Sequence, residues 1–426
     1  LEKDLDKYEV EVQIVSQLEV EPKEILKAKL RDYRKEITLD ELNGILATTV
    51  KHDEPAKAIT FLGMLLAQTD EDQYNIAFQA ESSTGKSYLP LELVEYFPQK
   101  QKRTYAGASP TNFYHEVGRW CKLIEIATKI DVKGLFDEQE LSDEKLRVIL
   151  VDLESKILIF MDQPHWMLIE RLRPLLSHDA KVLRYGITDR REKYGLRSKI
   201  VLVRGYPTVI FATAKPTEED QERTRMWLLS PGVEQEKLKE SLRLLGAKIG
   251  HREAFKEWVE THPSRRWLKE RIRQVRDSGI RNVIIPNWEA ILEHFIAKRS
   301  RLSPRSQRDF PRLLYLVKGF ALFNCFNRPR AGDHTIIADQ KDIDEAFALY
   351  EKVAKSNEMG LSPETYRIYE ECILSLTSHS SGVSRKEIMK EFYRLYGRPL
   401  SHKRLKDDVI PALESCLLYT SDAADE

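Results

Sequence analysis

Residues 80–87 read Ala-Glu-Ser-Ser-Thr-Gly-Lys-Ser and directly follow the apolar run Tyr74-Asn75-Ile76-Ala77-Phe78-Gln79. A strand running into a loop of small residues suits phosphate binding. Consecutive backbone N–H groups turn inward, Lys86 supplies a point charge for the β- and γ-phosphates, and the Ser87 hydroxyl can ligate Mg²⁺. The helix predicted from Ser87 to about Phe97 aims its positive end at the same anion. The candidate nucleotide-binding set is therefore Ala80, Glu81, Ser82, Ser83, Thr84, Gly85, Lys86 and Ser87. Ala80 stands where the first glycine of such loops usually sits. Alanine tolerates positive φ poorly, so the loop is expected to begin with a different shape while Gly85-Lys86-Ser87 stays intact. The bland alternative is an ordinary loop that happens to contain Gly-Lys-Ser.

A bound metal needs a second ligand. Lys156-Ile157-Leu158-Ile159-Phe160-Met161-Asp162 has the pattern of a fully buried strand ending in a carboxylate. In a parallel sheet, such a run carries ligand-facing groups at its carboxyl end. Asp162 is thus the candidate second contact to Mg²⁺, with a helix cap ahead of Pro164 as its structural alternative. Gln163 comes next; glutamine can orient a water but accepts a proton poorly, so nucleotide binding is read more firmly than hydrolysis.

The chain that must position these groups has 426 residues, room for about two to four domains. Apolar residues at 42% and charged residues at 32% fit a soluble, helix-rich globular protein. Lys+Arg and Asp+Glu each total 68, so net charge does not point to nucleic acid and any basic surface must be local. Cys121, Cys325, Cys372 and Cys416 lie far apart, with no zinc or disulfide spacing, and read as reduced thiols of a cytoplasmic protein. No stretch approaches the roughly 18 apolar residues of a membrane span, and no signal peptide is visible. The chain starts at Leu1, and residues 416–426 resemble a translated sequencing adapter, so it is expected to be a fragment with a non-native tail.

Around the loop, Ala56–Gln68 reads as a helix, Lys102–Ala106 as a strand, and Ser109-Pro110 as a helix start. Residues 121–150 read as an insertion of mixed helix and loop. After a helix from His165 to Leu176, Val182–Ile187 and Ser198–Val203 form a predicted hairpin. Its turn is basic, with Arg190, Arg191, Lys193 and Arg197. Thr208–Thr213 is another buried strand with a polar end, and Met226–Leu229 a short one behind Arg223 and Arg225. From Leu238 to Val353 the apolar spacing is helical throughout. Glu364–Leu376, Ser384–Tyr396 and Ser401–Glu414 are three further helices, the last two joined by Gly397-Arg398-Pro399 in the manner of a helix-turn-helix.

Taken in order, these elements resemble an AAA+ ATPase of the group with a hairpin inserted before the sensor-1 strand. The likeness is to minichromosome-maintenance-type replicative helicases and related mobile-element helicases. The resemblance implies an α/β fold: a P-loop parallel-sheet core (56–235) with a helical lid (236–358) and a winged-helix-like domain (359–415), behind a helical segment (1–55). It implies ATP and Mg²⁺ as cofactors and DNA as partner, with Arg190, Arg191 and Lys193 gripping the backbone in a central pore. Thr213 matches sensor 1, Arg225 an arginine finger acting on a neighbouring subunit (Arg223 second choice), and Arg308 the sensor-2 arginine. A homo-oligomeric ring follows, a hexamer by family likeness. Lys403, Arg404 and Lys406 would lie on the recognition helix. The competing reading is a regulatory or loader ATPase that remodels protein partners, or a scaffold that hydrolyses weakly because of Gln163.

Overall fold

The computed structural model describes residues 32–80, 84–107, 109–162, 164–189, 197–213, 225–299, 302–377 and 382–416. In chain order the strands are β1 (Asn75–Gln79), β2 (Lys102–Tyr105), β3 (Arg119–Lys122), β4 (Arg147–Asp152), β5 (Ile157–Phe160), β6 (Val182–Asp189), β7 (Arg197–Arg204), β8 (Thr208–Thr213), β9 (Met226–Leu229), β10 (Asn282–Ile284) and β11 (Thr335–Ile337).

Five of them build an all-parallel central sheet in the spatial order β2-β5-β8-β1-β9. Its strands are near-continuous apolar runs because both faces are covered. Alternate residues separate cleanly between the two faces. Ile76, Phe78, Ile157, Ile159, Ile210, Trp227 and Leu229 join a core that includes helices Glu54–Leu66, Pro263–Asp277, Ser306–Phe323 and Gln340–Glu358. Ala77, Leu158, Phe160, Val209, Phe211, Met226 and Leu228 face a second core with helices Pro110–Val117 and Trp166–Leu176. The first core runs without a break across the boundary read at residues 235 and 236.

A second, four-stranded sheet has the order β3-β4-β7-β6. The predicted hairpin is there as β6 and β7, antiparallel from Val182–Arg204 to Asp189–Arg197; its tip, with Arg190, Arg191 and Lys193, lies outside the described residues. The reading of 121–150 needs correction. This stretch holds the second half of β3 and all but the end of β4, and β4 pairs in parallel with β7, so the insertion is built into the hairpin's sheet. Val148-Ile149-Leu150-Val151 is an apolar run of the buried-strand type and was the available signal. β3, by contrast, is Arg-Trp-Cys-Lys and offers no periodicity to read. Gly205, at φ +89°, makes the corner from β7 into β8, where an added Cβ would sit 2.5 Å from the Glu154 backbone nitrogen.

The C-terminal helices gather around their own apolar cluster, including Ile368, Cys372, Ile388, Phe392, Leu405 and Leu413. Ser384 caps helix Arg385–Tyr396 in a reciprocal box with Glu387, and Gly397 ends it at φ +66°. The segments before and after that helix each contain a π-helical turn, at Ile368–Ile373 and Leu405–Val409. All four cysteines are free thiols. Among the described residues, no helix is long and apolar enough to cross a membrane.

Candidate nucleotide site

β1 ends at Gln79, and Ala80, 2% exposed, begins the loop. The Ser230 hydroxyl, just beyond β9, donates to the Gln79 carbonyl at 2.6 Å and ties two strand ends together there. Glu81, Ser82 and Ser83 lie outside the described residues. Gly85 adopts φ +90° with open space where a Cβ would be, so backbone conformation, and not crowding, requires glycine. The helix that follows is Tyr88–Val94, shorter than predicted. Ser87 occupies its N-cap position without a side-chain capping bond.

The Lys86 ammonium reaches back over the loop and donates to the Ala80 carbonyl at 3.2 Å. Partial burial pulls it below the usual lysine range, and the Asp162 carboxylate pushes it back up. The two groups influence each other because they stand at the same end of the sheet. The register explains it: Phe160 pairs with Phe211, and Gln79 pairs with Thr213. Carrying the first pairing two residues onward sets Asp162 level with Thr213, so the ends of β5, β8 and β1 stand in a row. With neighbouring strands about 4.8 Å apart, the outer two backbones of that row are about 10 Å apart, a gap that side chains can bridge. Thr213 closes β8 in the middle of the row; Gln163 lies outside the described residues.

Among the described residues, no cluster of three or more His, Cys, Asp or Glu side chains forms a metal cage. A divalent cation at Ser87 and Asp162 would therefore have to share its coordination with phosphate oxygens, which is how Mg²⁺ is commonly held.

Beside the loop lies a mostly apolar cavity of about 260 Å³. Thr84 and Gly85 close one end, and Val50, Tyr88, Leu89, Leu244 and Leu245 line it, between residues 49–53 and helix Gln235–Gly250. A larger cleft of about 510 Å³, against Pro55, Ser230 and Tyr366, contains no loop residue. The smaller cavity is the one suited to a nucleobase whose phosphates sit on the loop. Sequence reading missed these residues because they converge from three distant segments. Two buried contacts hold the walls. Lys237 pairs with Asp53 at 2.5 Å, and Asp53 also accepts from the Gly232 N–H. Arg265, 2% exposed, pairs with Glu92 at 3.0 Å and donates to Thr49 Oγ1, fastening helix Pro263–Asp277 to the helix behind the loop.

Arg225 is elsewhere. Met226 pairs with Asn75, so Arg225 precedes the amino end of β9, about 13 Å along β1 from the loop. Arg312 donates to the Met226 carbonyl at 2.5 Å and pairs with Asp309. Arg308 is exposed, one turn before the buried Arg312 on the same helix.

In the C-terminal helices, Lys403 and Lys406 are exposed. Arg404 instead turns inward and pairs with Glu364 at 2.6 Å, alongside Arg398 at 2.5 Å. Burial works against charge on Glu364, yet the two guanidinium groups more than overcome it and hold its carboxyl below the ordinary range. A depressed folded-state pKa means that this stabilisation is full above the unfolded carboxyl's pKa near 4.5 and is lost as pH falls through the folded value. Arg404→Ala is expected to destabilise by about 3 kcal/mol, because it leaves a buried carboxylate short of a partner. Lys403→Ala should stay within about 0.5 kcal/mol. Urea melts at pH 7 and pH 4 check both, and the gap between Arg404→Ala and the parent should shrink at the lower pH.

No protein-family model matches the chain, and no curated protein matches it. Among solved structures it is similar to a full-length MCM homolog from Methanopyrus kandleri, with a TM-score of 0.37 and 11% identity over 79% of this chain. It spans 63% of that protein's length, less than two thirds. It is also similar to the SCCmec type IV Cch active helicase, with a TM-score of 0.34 and 10% identity over 92% of this chain and 69% of that one.

Proposed function

We propose that the chain is a ring-forming AAA+ ATPase that uses ATP·Mg²⁺ to move along or unwind DNA. The observation that carries this reading is that the loop leaves β1 and Asp162 leaves β5 at the same, carboxyl end of the parallel sheet, with one strand between them. Backbone N–H groups of the loop and the Lys86 ammonium would cradle the phosphates, Ser87 and Asp162 would hold the cation, and the cavity at Val50 and Leu245 would take the base. The cation supplies charge neutralisation at the transferring phosphoryl group. Gln163, next to Asp162, would orient water, with Thr213 between the loop and Asp162.

Two further features favour a ring. Arg225 adjoins the end of the sheet remote from its own loop, where it would serve another subunit's nucleotide. Helix Gln235–Gly250 also exposes Leu238, Leu242, Leu245 and Ile249 along one face beside the cavity, apolar surface that a neighbouring copy would cover. A hexamer is the size the AAA+ likeness suggests. The basic hairpin favours DNA over a protein substrate, and Lys403 and Lys406 are the exposed candidates for a DNA contact at the C-terminal helices. The test is the ATPase rate with and without single-stranded DNA. Stimulation is expected; an intact ring that turns over ATP with no response to DNA would favour remodelling of a protein partner.

A further inference from the structure

The cross-strand register of the second sheet assembles a cluster that the sequence scatters over 80 positions. Lys122 on β3 pairs with Arg147 on β4. One step beyond the Val148–Ile200 pair, Arg147 stands beside Lys199 on β7, and Lys199 in turn pairs with Ile187. The next row on the same face is Trp120, Ile149, Val201 and Tyr185. Ile149 and Val201 of that row are buried in the core against helix Trp166–Leu176. Trp120, on the edge strand, remains 49% exposed, and the Lys199 ammonium lies 5.5 Å from its ring centroid.

Lys122 and Arg147, two cations facing each other on adjacent strands about 4.8 Å apart, repel one another and destabilise the sheet that carries them. They occur in a chain whose net charge is zero, and among the described residues neither Lys122 nor Arg147, both exposed, has a carboxylate partner. An exposed tryptophan flanked by such a row suits a strand of nucleic acid whose bases are free to stack. The ring can take a base, and the cations can take phosphates on either side.

We propose that the face formed by Trp120, Lys122, Arg147 and Lys199 binds single-stranded DNA at the base of the β6–β7 hairpin, with Trp120 stacking on a base. The inference deepens the DNA partnership proposed above and is tested apart from ATP turnover.

The experiment measures anisotropy of a fluorescein-labelled oligo(dT) on the full chain without nucleotide. Trp120→Ala should weaken binding about tenfold, the scale of one lost stacking contact, and Trp120→Phe should recover most of it. Lys122→Ala with Arg147→Ala should flatten the slope of log K against log salt by about 1.4, near 0.7 per lost phosphate contact. All four positions are at least partly exposed, so melting temperatures should match the parent's, or exceed it where like charges are removed, and lost binding cannot be put down to unfolding. Parental affinity and salt slope in these variants would overturn the proposal, even if DNA still stimulates the ATPase. So would loss of binding to poly-glutamate while oligo(dT) affinity is unchanged, which would assign the face to an acidic protein. A parent that does not bind oligo(dT) would sink this inference and the DNA reading together.

Discussion

Lys86→Ala is expected to cut ATP turnover by at least about 10²-fold, the scale of removing one preorganised donor from a transferring phosphoryl group. The side chain is only partly buried and its described hydrogen bond goes to the loop's own Ala80 carbonyl, so stability should change by no more than about 0.5 kcal/mol. Burial and Asp162 act on its charge in opposite directions. Asp162→Asn, which removes one of those influences and the candidate metal ligand, should also depress turnover. The two variants separate by their response to the cation. Lys86→Ala should lose nucleotide affinity with or without Mg²⁺, whereas Asp162→Asn should match the parent in EDTA and fall behind only when Mg²⁺ is present. Phosphate release and fluorescent-nucleotide titration measure these outcomes. Full turnover by a folded Lys86→Ala protein would remove the loop from the chemistry altogether.

What could be read in advance divides by range along the chain. Strands β1, β5 and β8 were legible because a strand buried on both faces is a continuous apolar run that stops at a polar residue. The start of the helix at Ser384 was legible because a capping box is written within four residues. Strand order was not, since nothing local in Lys102–Tyr105 says that it lies at the sheet's far edge from β9. The same limit hid the cavity walls at Val50 and Leu244, the Arg265–Glu92 pair, and the row of Lys122, Arg147 and Lys199. Arg404 shows the limit inside a single helix. Its neighbours Lys403 and Lys406 face solvent, while the helical turn aims Arg404 at Glu364, a partner 40 residues away in sequence that no local pattern announces. Composition identifies a basic helix; only the packed partner decides which of its cations is available to a ligand.

Arg225→Ala is expected to lower ATP turnover by about 10³-fold or more, the usual contribution of an arginine that neutralises charge on a transferring phosphoryl group, while leaving nucleotide affinity near the parent's. Its position makes the effect intersubunit. Residue 225 meets the sheet at the Asn75 end of β1 and the loop leaves from the Gln79 end, so the guanidinium cannot reach the phosphates held by its own chain. On the proposed function it would act where one copy's β9 edge abuts the cavity side of the next, a head-to-tail contact of the kind that generates rings. Mixing supplies the decisive measurement. Lys86→Ala chains have an intact arginine and a defective loop, and Arg225→Ala chains the reverse, so a mixed assembly contains some interfaces where a sound loop faces a sound arginine. Equal mixing should restore activity well above either variant alone, and the gain should vanish on dilution below the concentration at which the ring holds together. An Arg225→Ala protein with parental turnover, or a mixture no more active than the average of its parts, would leave each subunit to complete its site alone. The separation of Arg225 from the loop would then need another explanation.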